Sequence, residues 1–103
     1  MHRLIICSSL LLACTCANAE EDPVASLTKG QPPDVVALVE RLIDCTHFAG
    51  EEPYDAARRR EIATAMKKLK CNRLEKDELV IERRYSARPD ILNVLKKAKE
   101  WDS

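Results

Sequence analysis

The pairing of Cys45 with Cys71 constrains this chain more than any other feature of its sequence. There are five cysteines, an odd number that leaves one thiol over in any full pairing. The other three, Cys7, Cys14 and Cys16, fall in a stretch that reads as a secretory signal over residues 1–19. His2 and Arg3 supply a short basic start, Leu4 to Ala13 an apolar run, and Ala17-Asn18-Ala19 a small-x-small cleavage site. Removing that stretch leaves two cysteines in an oxidising compartment, where a disulfide forms and persists. A periplasmic or secreted protein is the expectation.

A second cleavage is also written there. Leu11-Leu12-Ala13-Cys14 resembles a bacterial lipobox, which would make Cys14 the lipid-anchored first residue of a membrane-attached lipoprotein. That cut leaves Cys16 as an unpaired thiol, so the soluble form is the simpler expectation. The apolar run is too short to span a bilayer, which needs about 20 residues. No later segment is apolar enough to do so, and no transmembrane segment is expected.

What remains, residues 20–103, is a small domain of the kind that commonly needs a staple. Closing the loop between the two cysteines is worth roughly 3 to 3.5 kcal/mol in the chain-entropy model. Residues 20–32 are polar, aperiodic and broken by Pro23 and Gly30, and read as a flexible leader. Residues 33–103 read as a single all-α domain, a small bundle of three to four short helices stapled by one disulfide. Val35, Leu38, Val39, Leu42 and Ile43 predict a first helix that opens at Pro32-Pro33-Asp34 and runs to about His47. Asp55 is a natural N-cap for a second, from Ala56 to about Lys70, with Ile62, Ala65, Met66 and Leu69 as its stripe. Asn72 and Glu75 resemble a capping box that starts a third, from about Arg73 to Tyr85, with Leu74, Ile81 and Tyr85 on one face. Pro89 suits the first turn of a fourth. Its stripe is Ile91, Leu92, Val94, Leu95, Ala98 and Trp101.

The disulfide then limits how the first two helices meet. Cys45 ends the first and Cys71 follows the far end of the second, which is roughly 22 Å long. A tight antiparallel turn would hold those ends apart, and a disulfide needs Cα atoms within about 7 Å. Thr46 to Tyr54 is therefore expected to run as an extended strap, reaching up to about 30 Å.

Much chemistry is excluded at once. Two glycines in the whole chain rule out Gly-rich phosphate loops and dinucleotide fingerprints. Seventeen basic residues balance seventeen acidic ones, so no polybasic nucleic-acid binder is expected. His47 is the only histidine after the signal, which leaves no metal site built on two imidazoles. No catalytic residue and no cofactor is expected. Cys45 and His47, two apart, do not face each other on a helix and make no nucleophile–base pair. Arg58-Arg59-Arg60 spreads around the helix circumference and forms no single reading face.

The densest cluster of chemically capable side chains is Cys45 to Asp55. Here His47, Glu51, Glu52 and Tyr54 are the candidate partner-binding residues, the glutamates as anions and the tyrosine as an aromatic anchor. The competing role for the same residues is structural. His47 would cap the helix end. Phe48 and Tyr54 would bury against the core, and the glutamates would pair with arginines of the second helix. Charge is also segregated along the chain. Residues 20–55 carry nine acids and two bases, and residues 56–103 carry eight acids and fourteen bases.

The stretch Cys45 to Asp55, with Arg59 after it and Cys71 beyond, resembles small uncharacterised exported proteins of Gram-negative bacteria, which are two-cysteine helical proteins. That resemblance covers about half of residues 20–103 and implies no catalytic residue. Cys71 followed by Asp77, Ile81 and Tyr85 is more weakly similar to a helix of periplasmic lysozyme-inhibitor-like domains, although Leu79 and Tyr85 depart from that spacing. The expectation is an exported, non-enzymatic protein that acts by contact with another periplasmic or extracellular protein. The alternative is an inhibitor of lysozyme or another cell-wall hydrolase, with an acidic loop entering a basic cleft.

Overall fold

Five amphipathic segments become helices in the computed structural model, which describes residues 22–101. They are α1 (Pro23–Thr28), α2 (Pro33–Gly50), α3 (Ala56–Lys68), α4 (Leu74–Arg84) and α5 (Pro89–Lys99), and one 3-10 turn (Cys71–Arg73) precedes α4. No strand occurs among the described residues. The expected secretory signal and the lipobox cysteine lie outside them.

The core is made by α2, α4 and α5. Val35, Leu38, Val39, Leu42 and Ile43 of α2 meet Ile81 of α4 and Ile91, Val94, Leu95 and Ala98 of α5, all buried. These are the residues that recur at helical spacing, so the apolar stripes find one another as their period demands. Leu74, Tyr85 and Trp101 close the edges of this cluster. Central α2 contacts every other helix but is covered most by α4 and α5.

The bundle has one helix more than the three to four expected. Residues 20–32, read as an aperiodic leader, contain α1. The Asp22 carboxylate accepts from the Val24 N–H at 3.1 Å, and Pro23 occupies the first helical position. Val24 and Leu27 pack on the core, and Thr28 is buried with its hydroxyl donating to the Val24 carbonyl at 3.0 Å. Six residues show only one apolar i, i+3 pair, too little for a period to be read. Gly30, at φ +76°, then turns the chain into α2.

Two boundaries also move. Helix α2 continues past His47 to Gly50, so the first half of the expected strap is helical and only Glu51 to Asp55 links it to α3. The Glu51 N–H bonds the Phe48 carbonyl at 3.3 Å where the helix ends. The overrun takes the chain about 7.5 Å beyond Cys45 before it turns back, which supplies part of the reach that an extended strap was expected to give, and the link from Glu51 to Asp55 carries the chain on to α3. Asn72 caps nothing. Lys70 adopts the left-handed conformation at φ 55°, the 3-10 turn follows, and α4 begins at Leu74 with no side-chain cap. The chain thus pivots at Lys70, which presents Cys71 to Cys45 with Cα atoms 5.7 Å apart in the disulfide.

Helix α3 stands apart in this arrangement. Asp55 caps it as expected, accepting from the Arg58 N–H at 2.8 Å. Yet its stripe of Ile62, Ala65, Met66 and Leu69 is only half-buried, and none of its residues joins the core. No helix among the described residues is long and apolar enough to cross a membrane.

Candidate functional site

The corner between α2 and α3 is held by one arginine. Arg58 donates from Nη2 to Glu51 Oε1 at 2.7 Å and from Nε to Glu51 Oε2, a two-pronged fork. Its third prong, Nη1, donates to Glu61 at 2.9 Å. These hydrogen bonds hold the Glu51 carboxyl below its ordinary range and push the Arg58 guanidinium up. The fork closes the first turn of α3 onto the residue that ends α2. It is the pairing of Glu51 with a second-helix arginine that the sequence suggested.

The other three candidates do different things. His47 makes no hydrogen bond to a helix carbonyl among the described residues. Its Nε2 stands 3.9 Å from Glu51 Oε1, and its ring meets Phe48 edge-on at 5.4 Å between centroids. Glu52 is exposed and forms no ion pair among the described residues. Tyr54 is 81% exposed, which removes the expectation that it buries against the core. Phe48 is half-buried and also lies outside the core. The corner therefore divides into a clamped part (Glu51, Arg58 and the Asp55 cap) and a presented part (Glu52 and Tyr54), with half-buried Pro53 between the two presented residues.

A second polar centre, not anticipated from sequence, lies at the other end of α3. Arg41 of α2 donates from Nε to the Leu69 carbonyl at 2.9 Å and from Nη2 to the Lys70 carbonyl at 3.0 Å. Its Nη1 pairs with Asp77 of α4 at 3.0 Å. Arg41 thus bonds the Leu69 carbonyl at the end of α3, shares the Lys70 carbonyl with the Arg73 N–H, fixes the turn that delivers Cys71, and ties α4 to both. One signal pointed to it. It is one of only two bases among the nine acids of residues 20–55.

A shallow groove of about 270 Å³ runs beside Arg41 between α2 and α4. Leu38 and Ile81 floor it, Ala37 and Val80 edge it, and Asp34, Arg41 and Asp77 complete its lining. Asp34 is engaged, accepting from the Tyr85 hydroxyl at 2.8 Å and from Arg84. The Tyr85 bond is the chief reason its carboxyl lies below the ordinary range, and the same bond raises Tyr85. Among the described residues no group of three or more His, Cys, Asp or Glu side chains could hold a metal ion.

The segregated charges are partly reconciled by the fold. Glu51–Arg58 and Asp34–Arg84 join the acidic half to the basic half. Glu40, Asp44 and Glu52 of the acidic half stay exposed, as do Arg59, Arg60, Lys67 and Lys68 of the basic half. No family model matches the chain, and no curated protein or solved structure gives a significant match to it.

Proposed function

We propose that this is an exported, non-enzymatic binding protein, periplasmic or secreted, that engages another protein through the corner between α2 and α3. One observation carries the reading. Tyr54 is 81% exposed on a five-residue link fastened by the Glu51–Arg58 fork on one side and the Asp55 cap on the other. An aromatic held outward on a restrained backbone loses little conformational freedom on binding, and tyrosine is prominent among the residues that carry interface energy. Glu52 beside it adds an anion that would favour a basic partner and speed its approach. The Cys45–Cys71 disulfide fits an oxidising compartment.

An inhibitor of lysozyme or another cell-wall hydrolase would use the same corner. Glu51 spends both oxygens on Arg58, so of the two glutamates only Glu52 remains to enter a basic cleft. That favours the broader reading of a protein-contact module.

The test is site-specific photocrosslinking in exporting cells. A photoreactive residue at Tyr54 should yield a discrete crosslinked protein adduct, and one at exposed Asn93 on α5 should not. Glu52→Ala should weaken the adduct. Equal adducts at both positions, or none at Tyr54, defeat the proposal. Slowed muramidase hydrolysis at molar excess of protein would select the inhibitor reading.

A further inference from the structure

We propose that the outward face of α3 docks the protein onto membranes that carry anionic lipid headgroups. The helix has two unlike sides. Towards the protein it turns Arg58, Ile62, Ala65, Met66 and Leu69, all half-buried. Away from it stand Arg59, Arg60, Lys67 and Lys68, all exposed, and exposed Lys70 follows at the pivot. None of these five cations forms an ion pair among the described residues. The one acid of the helix, Glu61, is already engaged by Arg58.

Helical geometry sets these charges into a surface. Arg60 and Lys67 are seven residues apart, so they stack on one line about 10 Å from each other. Arg59 and Lys68 flank that line on either side. Between them lie Ala56, Ala63 and Thr64, whose small side chains leave the long basic ones free to reach a common plane. The helix cannot roll this face inward, because the disulfide and Arg41 hold its C-terminal end and the Glu51 fork holds its first turn.

The chemistry of the face selects the occupant. A protein interface centres on aromatic or arginine anchors seated in desolvated pockets; this face offers arginines flanked by small residues, with no aromatic or large apolar side chain to exclude water around them. A nucleic-acid groove admits a narrow reading edge, whereas these cations cover about half the helix circumference. A plane of anionic headgroups meets the whole outward half at once and needs no fixed register. Each Lys or Arg near such a surface strengthens binding about fivefold.

The experiment is sedimentation with lipid vesicles of the disulfide-bonded protein purified from exporting cells. Arg60→Glu/Lys67→Glu/Lys68→Glu is compared with the unaltered protein and with Lys96→Glu/Lys97→Glu on α5. All three carry the same N-terminus, so any lipid or apolar segment there contributes equally. Circular dichroism confirms that each is folded. Phosphatidylcholine vesicles containing about one-third phosphatidylglycerol should bind the unaltered protein at low salt and release it at about 0.5 M salt. The α3 triple variant should bind at least about 100-fold more weakly, and the α5 variant should lose much less. Equal binding to pure phosphatidylcholine, no binding to the anionic vesicles, or equal loss from the α5 variant overturns the proposal. Equally tight, α3-dependent binding to a short DNA duplex overturns the assignment to lipid.

Discussion

Arg41 donates its Nε–H to the backbone carbonyl of Leu69 at 2.9 Å, which joins the middle of α2 to the end of α3 across 28 positions of chain. The same guanidinium holds the Lys70 carbonyl and the Asp77 carboxylate. Arg41→Ala removes three charge-assisted contacts at once and leaves the Lys70 carbonyl with the Arg73 N–H at 2.9 Å and Asp77 with Arg73 at 4.0 Å; it should cost about 1.5 to 3 kcal/mol. Arg41→Lys should recover less than half of that, because an ammonium cannot reproduce the planar fork. Urea denaturation of the three proteins checks both figures.

Loss of the disulfide should act unevenly over the molecule. Cys45→Ala/Cys71→Ala should cost the segment that the disulfide closes, residues 45–71, up to about 3.5 kcal/mol through the opened loop. Native-state hydrogen exchange should show residues 56–70 losing protection first, with α2 and α5 retaining most of theirs, because α3 contributes nothing to the core. Uniform loss of protection would show that the helices form one cooperative unit.

The contrast in packing gives a third expectation. Leu95 is 1% exposed among the helices of the core, and Leu95→Ala should cost about 2 to 5 kcal/mol. Ile62 is half-buried on α3, and Ile62→Ala should cost about 1 kcal/mol. Thermal or chemical denaturation of the two variants under one set of conditions decides the ordering.

Acid should weaken the fold through two carboxylates. Asp34 and Glu51 lie below their ordinary ranges, so the unfolded chain binds their protons more readily and stability falls as pH drops below about 4. Tyr85 is raised, which places a second loss on the alkaline side, above about pH 10, as its hydroxyl gives up the proton that bonds Asp34. Tyr85→Phe should remove the alkaline loss and lessen the acid one. Melting temperatures measured from acid to alkaline pH test both limbs.

Lys70 offers a stabilising change. Its left-handed backbone, φ 55°, is strained for any residue with a Cβ. Lys70→Gly should raise stability by about 0.5 to 1 kcal/mol, and Lys70→Val should lower it. The Arg41 contact uses the Lys70 carbonyl rather than its side chain, so it survives either substitution.

The core was legible because its residues repeat. Every α2 residue of the expected stripe is buried, and the α5 stripe is buried at Ile91, Val94, Leu95 and Ala98. The disulfide followed from cysteine count and the expected compartment alone. Helix α1 was not legible, since two turns carry too little period, and the end of α2 was obscured by Gly50, a residue tolerated at a helix terminus. At the corner, the Glu51–Arg58 fork was foreseen as one of two options. The exposure of Tyr54 was likewise one of two options, because a single aromatic next to proline reads equally as plug or as anchor. Arg41 escaped notice because two of its partners are backbone carbonyls, which sequence does not display, and the third, Asp77, lies 36 positions away.

Helix α3 is fastened at both ends, and along its length it meets the rest of the protein only through a half-buried stripe. The segment between Glu51 and Cys71 is therefore a closed cassette. Its interior can be lengthened or exchanged at small cost, since loop closure grows only slowly with added residues, provided that Arg58, the Leu69–Lys70 pivot and the two cysteines stay. A foreign epitope placed between Ala63 and Lys67 would be displayed on a stable core that does not depend on it, which makes this small protein a natural scaffold for grafting.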